Sequence, residues 1–386
     1  MEMEASLIKA LENLNLADKS AIQISKPEAD YVLDLAVQNG SADPLLAAAC
    51  SNFTVQLMSR SRLAHISTLS GHTDTVTKVQ FGKTDFNLVY TSSKDKTVRC
   101  WDARVSNSKE VQLFQASPAV QAEMLSLDIS HTDRLLCAGT EQTASDSYLL
   151  FWDTRQNSLL GCYSECHQDD ITQVCFQPGS DRYLASGSAD GLVCTFDLTE
   201  TAEDDALQIT SNAESDVARV GWCGSKVDCV YCVTSDNVFH VWDAHEGDSC
   251  CTVDCFSGAS EGASVDYIID CIPEVTASTD RSSAVLLVGS HGGSLQLLLC
   301  SDRSADTRTL ASLNGGHTAT VRCSKWDAKT QSLLTGGEDS LVCLWSTGPS
   351  VQFSDKGNKT KSLAKIKGKV SVSEHAKKPY SKKQKS

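Results

Sequence analysis

The sequence predicts an all-β fold: a ring of seven copies of one four-stranded unit, followed by a basic tail. Three observations predict it. A short phrase recurs along the chain. The aromatic residue that closes the phrase returns at intervals close to those of a four-strand repeat. Ahead of it, a His, a hydroxyl residue and an Asp keep a fixed spacing in three of the copies. Length alone leaves the matter open, since 386 residues accommodate two or three average domains or one large β domain.

The phrase is a strand, a small-residue turn with Asp, a second strand and then Trp-Asp. It reads Leu-Val-Tyr-Thr-Ser-Ser-Lys-Asp-Lys-Thr-Val-Arg-Cys-Trp-Asp at 88–102 and Tyr-Leu-Ala-Ser-Gly-Ser-Ala-Asp-Gly-Leu-Val-Cys-Thr-Phe-Asp at 183–197. A third copy is Leu-Leu-Thr-Gly-Gly-Glu-Asp-Ser-Leu-Val-Cys-Leu-Trp-Ser at 333–346, and weaker copies end at Trp152-Asp153 and Trp242-Asp243. The aromatic position falls at Trp101, Trp152, Phe196, Trp242 and Trp345, with degenerate copies at Met58 and Leu298. The successive intervals are 43, 51, 44, 46, 56 and 47 residues. A four-strand blade repeats every 40–45 residues or so, and loop insertions account for the excess.

These phrases resemble the WD-repeat family, whose members form β-propellers. The resemblance covers about 325 residues. It implies a seven-bladed WD-repeat β-propeller over 20–347, preceded by an N-terminal segment at 1–19 and followed by a disordered basic tail at 348–386. It also implies a function without catalysis, a scaffold for protein–protein interactions. His72 precedes Asp95 by 23 residues, His167 precedes Asp190 by 23, and His317 precedes Asp339 by 22. Thr91, Ser186 and Thr335 lie four residues before the Asp, and Trp101, Phe196 and Trp345 six after it. In the family these four positions form a hydrogen-bonded tetrad within a blade. The hydroxyl links the His to the indole N–H, so each buried polar group has a partner. The Asp also holds the turn. His, Asp and Ser or Thr together resemble a hydrolase triad, but a triad occurs once and these sets occur three times at fixed spacing. Phe196 departs from the pattern, because Phe has no N–H to donate, and its blade is expected to rely on packing. Blades three, five and six lack the His-to-Asp match, which leaves them with idiosyncratic loops on a rigid scaffold.

A ring needs closure. After Trp345 the pattern is lost, so the last blade lacks its outer strand. The apolar run Ala21-Ile-Gln-Ile24 is expected to supply it, pairing a segment near 20–26 with 340–346 and removing the open edge. Upstream, Leu7, Leu11 and Leu14 are spaced as the stripe of a short amphipathic helix.

Charge divides the chain in two. Forty-nine acidic and 34 basic side chains give −15 overall. Residues 356–386 hold eleven lysines against Glu374, a charge of +10, which leaves −25 on residues 1–355. The acidic part is unsuited to binding a phosphate backbone. The tail has too few apolar residues for a core. Its cluster Lys377, Lys378, Lys382, Lys383 and Lys385 suits a nuclear or nucleolar address, or contact with nucleic acid. The N-terminus has no basic-then-apolar leader and no apolar run reaches 18 residues, so an intracellular protein without a membrane span is expected. The 17 cysteines then read as reduced thiols, most of them small hydrophobes in strands.

Nothing in the sequence points to catalysis or a cofactor. Phosphate-cradling glycine loops and a nucleophile elbow are missing. Cys229-x2-Cys232 and Cys162-x3-Cys166-His167 lack a second ligand pair, so no metal is expected. The partners are then proteins, and the propeller is expected to be monomeric. Trp-Asp-x-Arg ends two consecutive blades, with Asp102 and Arg104, then Asp153 and Arg155. In the family this ending resembles that of propellers docking on the adaptor of cullin–RING ubiquitin ligases, and an Arg fork suits carboxylates. Asp169-Asp170 and Glu203-Asp-Asp205 lie in loops open to a basic partner such as a ribosomal protein or histone tail.

Overall fold

The computed structural model describes residues 2–22, 30–40, 43–105, 109–118, 120–144, 146–254, 265–276, 283–301 and 304–348. Its strands form seven four-stranded antiparallel sheets, the blades of a propeller. Blade one runs Val32–Val37, Leu45–Cys50, Thr54–Ser59 and His65–Ser70. Blade two runs Val76–Phe81, Leu88–Ser93, Thr97–Asp102 and Gln112–Gln115. Blade three runs Met124–Ile129, Leu135–Thr140, Leu149–Asp153 and Ser158–Tyr163. Blade four runs Gln173–Phe176, Tyr183–Gly187, Leu192–Asp197 and Leu207–Asn212. Blade five runs Val217–Cys223, Cys229–Thr234, Val238–Asp243 and Ser249–Asp254. Blade six runs Tyr267–Cys271, Ser283–Gly289, Leu295–Ser301 and Ser304–Leu313. Blade seven has Val321–Asp327, Ser332–Gly337 and Leu341–Ser346 from the end of the ring, and Asn15–Ala21 from its beginning.

That last pairing closes the ring, with Asn15 opposite Ser346 and Ala21 opposite Leu341. The closing strand therefore lies upstream of the 20–26 expected from the apolar run. The physical reason is position: an outermost strand has one open edge and needs no continuous apolar face. Asn15–Ala21 is half-exposed or exposed throughout, with Lys19 on the open edge. Of the apolar run, Ala21 ends the strand, and Ile22 leaves it and is buried between blades seven and one. Its N–H still bonds the Ser340 carbonyl at 2.9 Å. Residues 23–29 are outside the described ones, as are 349–386, on which the tail expectation falls. Leu7 and Leu11 of the stripe lie on a helix, Glu2–Glu12, and Leu14 follows its end.

The core is not a central globule. Among the described residues it divides into seven apolar clusters, each between adjacent blades. Second and third strands are buried on both faces, which is why they read as continuous runs such as Leu45-Leu-Ala-Ala-Ala-Cys50. Buried thiols fill small gaps in these runs, and desolvation pushes those of Cys100 and Cys343 up to about 12, so they pack as hydrophobes. The interface between blades seven and one has its own cluster of Ile22, Val32, Met58, Leu334 and Leu344, and Arg60 of blade one reaches Asp327 of blade seven at 2.8 Å. Polar stitches join inner strands elsewhere. Asp34 accepts from Val79 N at 2.9 Å and from Lys78 Nζ at 3.0 Å, and Asp128 accepts from Phe176 N at 2.9 Å.

Deleting residues 1–21 removes the closing strand and opens both the sheet edge and the seam of Ile22. The expected outcome is a fall in the whole domain's melting midpoint of at least about 5 °C, measured by calorimetry. An unchanged midpoint contradicts the closure.

Candidate functional site

The recurring side chains sit where alternating strand direction puts them. Within a blade the first and third strands run parallel to each other, each antiparallel to the second. Residues before the first strand and in the turn before the third therefore share one face. Residues after the first and after the third strand share the opposite face.

The His and Asp positions occupy the first of these faces. In blade two, Trp101 Nε1 donates to Thr91 Oγ1 at 2.9 Å, His72 Nε2 is 2.7 Å from the same oxygen, and His72 Nδ1 is 2.8 Å from Asp95 Oδ2. Blade seven repeats this arrangement. Trp345 donates to Thr335 at 2.9 Å, His317 Nε2 is 2.8 Å from Thr335 Oγ1, and His317 Nδ1 is 3.1 Å from Asp339. Asp95 also accepts from Thr97 N at 3.1 Å, as Asp339 does from Leu341 N at 3.1 Å, the bond that shapes an Asx-turn. The next residue, Lys96 or Ser340, is then held at φ +69° or +63°. One carboxylate thus fixes both the turn and the imidazole.

Blade four lacks the indole. His167 Nε2 lies 2.7 Å from Ser186 Oγ and its Nδ1 3.1 Å from Asp190. Phe196 is fully buried and packs against Tyr163 at 5.4 Å between ring centres. With no indole N–H arriving, Ser186 Oγ keeps the acceptor capacity that tryptophan takes up in blades two and seven. Burial, the largest single influence, disfavours a charged His167, but the hydrogen bonds and charge interactions of Asp190 and Cys194 together outweigh it, and the imidazole is pushed up to about 9. Desolvation also opposes charge on Asp190, but His167 and the amides of Gln168 and Leu192 hold it below the usual carboxylate range.

The unmatched blades solve the same problem differently. Trp152 donates to the Gln115 carbonyl of blade two at 3.1 Å. Trp242 stacks on His240 at 5.1 Å with an interplanar angle of 7°.

The opposite face carries Asp–Arg forks. Arg104 donates from Nε and Nη2 to Asp102, at 2.9 and 2.6 Å. Arg155 makes the same contacts with Asp153, at 3.0 and 2.6 Å, and holds its carboxyl down to about 2. Both Arg side chains stay mostly exposed, at 64% and 59%. The carboxylate that each motif Arg meets in the structure is its own Asp. It also missed a third fork, because its halves lie 15 residues apart: Arg182 donates to Asp197, the residue after Phe196, at 2.6 Å. Internal to these lies the channel mouth, a cavity of about 430 Å³ lined by Lys78, Lys83, Asp128, Asp270, Glu274 and Lys325 among others. Asp34, Asp128 and Asp270 share a local sequence signal, ending the pattern apolar–x–apolar–Asp in Tyr31-Val-Leu-Asp34, Leu125-Ser-Leu-Asp128 and Tyr267-Ile-Ile-Asp270.

Asp169 and Asp170 cap turns. Asp170 accepts from Gln142 N at 2.9 Å. Glu203 accepts from the amides of Ser164, Glu165 and Cys166, each at 2.8 Å, so it orders the end of blade three, while Asp204 and Asp205 are exposed. Among the described residues, no group of three or more His, Cys, Asp or Glu could hold a metal, and no helix is long and apolar enough to cross a membrane. Lys377, Lys378, Lys382, Lys383 and Lys385 lie outside the described residues.

Ring, repeats and tetrads together define a WD-repeat propeller. The model of the WD domain, G-beta repeat, matches residues 64–102, 158–197 and 307–346. Those are the three repeats with a tetrad. Each match begins with the outer strand of one blade and ends with the third strand of the next, an offset that leaves one outer strand to come from the N-terminal end. Over nearly its whole length the chain also resembles WD repeat-containing protein 89 homolog of Dictyostelium discoideum, at 28% identity over 87% of this chain and 88% of that one. It is 26% identical to WD repeat-containing protein GTS1 of Arabidopsis thaliana, over 78% of each chain. A shorter stretch, 41% of this chain and 34% of the relative, is 30% identical to ribosome biogenesis protein WDR12 homolog of Ixodes scapularis.

Two outcomes test the tetrads. Thr335→Val orphans both His317 and Trp345, whereas Ser186→Ala orphans only His167. In urea unfolding the first should cost about 2–3 kcal/mol and the second about 1 kcal/mol; equal costs contradict the assignment. The second outcome is pH dependence. A His raised in the folded state contributes stability that is full below its unfolded value, about 6.5, and lost as pH rises through about 9. The melting midpoint should therefore fall between pH 6.5 and 9, and Asp190→Asn should flatten that slope.

Proposed function

We propose that this chain is a noncatalytic scaffold that holds protein partners on the faces and rim of its ring. The observation that carries this reading is the closed seven-bladed WD-repeat ring, with loops that differ from blade to blade. WD-repeat propellers generally serve protein interaction, and a rigid ring with variable loops offers large surfaces at little ordering cost on binding. The tetrads are spent on architecture, each His being bonded on both ring nitrogens.

Two finer readings have support of their own. Arg104 and Arg155 are exposed on one face of adjacent blades, held rigid by their aspartates, which suits docking on the adaptor of a cullin–RING ligase as a substrate receptor. The lysine cluster of the tail, together with the partial likeness to a ribosome biogenesis protein, suits a nuclear or nucleolar assembly factor that contacts basic proteins or RNA.

One experiment separates these readings: affinity purification and imaging of the full chain, of Arg104→Ala with Arg155→Ala, and of a chain lacking 356–386. Stoichiometric protein partners are expected with the full chain, and none at all contradicts the scaffold. Adaptor lost only in the arginine variant favours the ligase reading. Nuclear signal and assembly factors lost only without the tail favour the third.

A further inference from the structure

The outer strand of a blade carries one extra residue where it passes the aromatic position. In blade three, Phe151 pairs with Gly161 and Trp152 with Leu159, so Leu160 is the inserted residue. Ile66 holds this place in blade one. In blade two Val111 does, its N–H bonding the Cys100 carbonyl beside the Gln112 pair at 2.7 Å. In blade six it is Leu310. Blades four, five and seven have Gln208, Cys250 and Ala17 there.

The four large apolar residues fare differently. Ile66, Val111 and Leu160 are 54%, 58% and 60% exposed, but Leu310 is only 8% exposed. The cause is the N-terminal helix Glu2–Glu12, which seats Leu7, Ile8, Leu11 and the following Leu14 in one cluster with Leu310. Glu12 then pairs with Arg308, two residues before Leu310, at 2.8 Å. The helix sequence carries three glutamates and one lysine, and Glu12 is the acidic side chain paired at this contact. The molecule therefore shows what covers this position when it is covered: an acidic amphipathic helix, fixed by an arginine beside the bulge.

Blades two and three repeat the large apolar residue at the bulge without a helix over it, and Lys109 and Ser158 stand at the place of Arg308. Val105, Val111, Leu159 and Leu160 are exposed there. Arg104 and Arg155 lie in the turns that lead into these outer strands, each paired with its own Asp and mostly exposed. Gln112 Nε2 bonds the Thr154 carbonyl at 2.7 Å, which places Val111 next to the Arg155 turn across the blade boundary. We propose that this rim is a docking site for an acidic amphipathic α-helix of a partner protein, seated as the chain's own helix is on blade six. The proposal rests on the scaffold reading and names the partner's chemistry. An added strand suits the rim less well, since the bulge interrupts the edge and twists it.

The test is site-specific photo-crosslinking of the full chain in cells, with benzoyl-phenylalanine in place of Leu160 or, as control, of Gln208. The crosslinked segment is sequenced, and the matching synthetic peptide is titrated against the full chain. The expected segment, captured at 160 and not at 208, has apolar residues at helical spacing with Asp or Glu beside them. Its affinity should fall about tenfold or more with Val111→Asp plus Leu160→Asp, and hold with Gln208→Asp. All three are exposed positions, and matching melting midpoints confirm that the variants fold. No segment at 160, a basic or extended one, a second copy of this chain, or an affinity unmoved by the double variant each overturns the proposal. Partners that still copurify with the double variant leave the scaffold reading standing while this one fails.

Discussion

The antiparallel pairing of Asn15–Ala21 with Leu341–Ser346 is the contact on which the rest of the ring depends. It joins the two ends of a sequence in which every other blade is assembled from consecutive strands. Without it the seventh blade has no outer strand, and the cluster of Ile22, Val32, Leu334 and Leu344 is uncovered on that side. Because the core is divided among seven similar interfaces, no one of them supplies a nucleus large enough to hold the others. Closure converts a row of neighbours into a ring in which each interface is supported from both sides.

Once closed, the ring assigns different work to its surfaces. One face is committed to structure, with His72, His167 and His317 tying the approach to each inner strand to the turn of the same blade. The opposite face bears the Asp–Arg forks and the channel mouth, where charges are paired but remain open to solvent. The rim is covered in part by the N-terminal helix and is apolar on the far side. In the tetrad that lacks its tryptophan, in blade four, His167 is raised to about 9 and links stability to pH.

How much of this was legible in the sequence depended on whether a feature repeats locally. Tetrads and blade count were readable because Trp101, Phe196 and Trp345 come at fixed distances from their own His and Asp. The N-terminal helix was readable from the Leu7, Leu11 and Leu14 stripe. The closing strand was misplaced because an edge strand such as Asn15–Ala21 carries no apolar signal, while the apolar Ile22 beside it serves a seam. Contacts between blades were invisible for another reason. The partners of Asp34 and Asp128 lie more than forty residues away, and nothing in either local stretch names them. The Arg104 and Arg155 motifs were seen, but their internal pairing depends on a turn that brings each side chain back onto its own Asp.

The central claim is that closure makes the ring one cooperative unit. Native-state hydrogen exchange at increasing denaturant tests it most directly, comparing the amides of Leu341–Ser346 with those of Tyr183–Gly187, on the far side of the ring from the closing strand. The account predicts that both sets merge into the same global opening with the same free energy. Early exchange of Leu341–Ser346, while Tyr183–Gly187 stays protected, would contradict it.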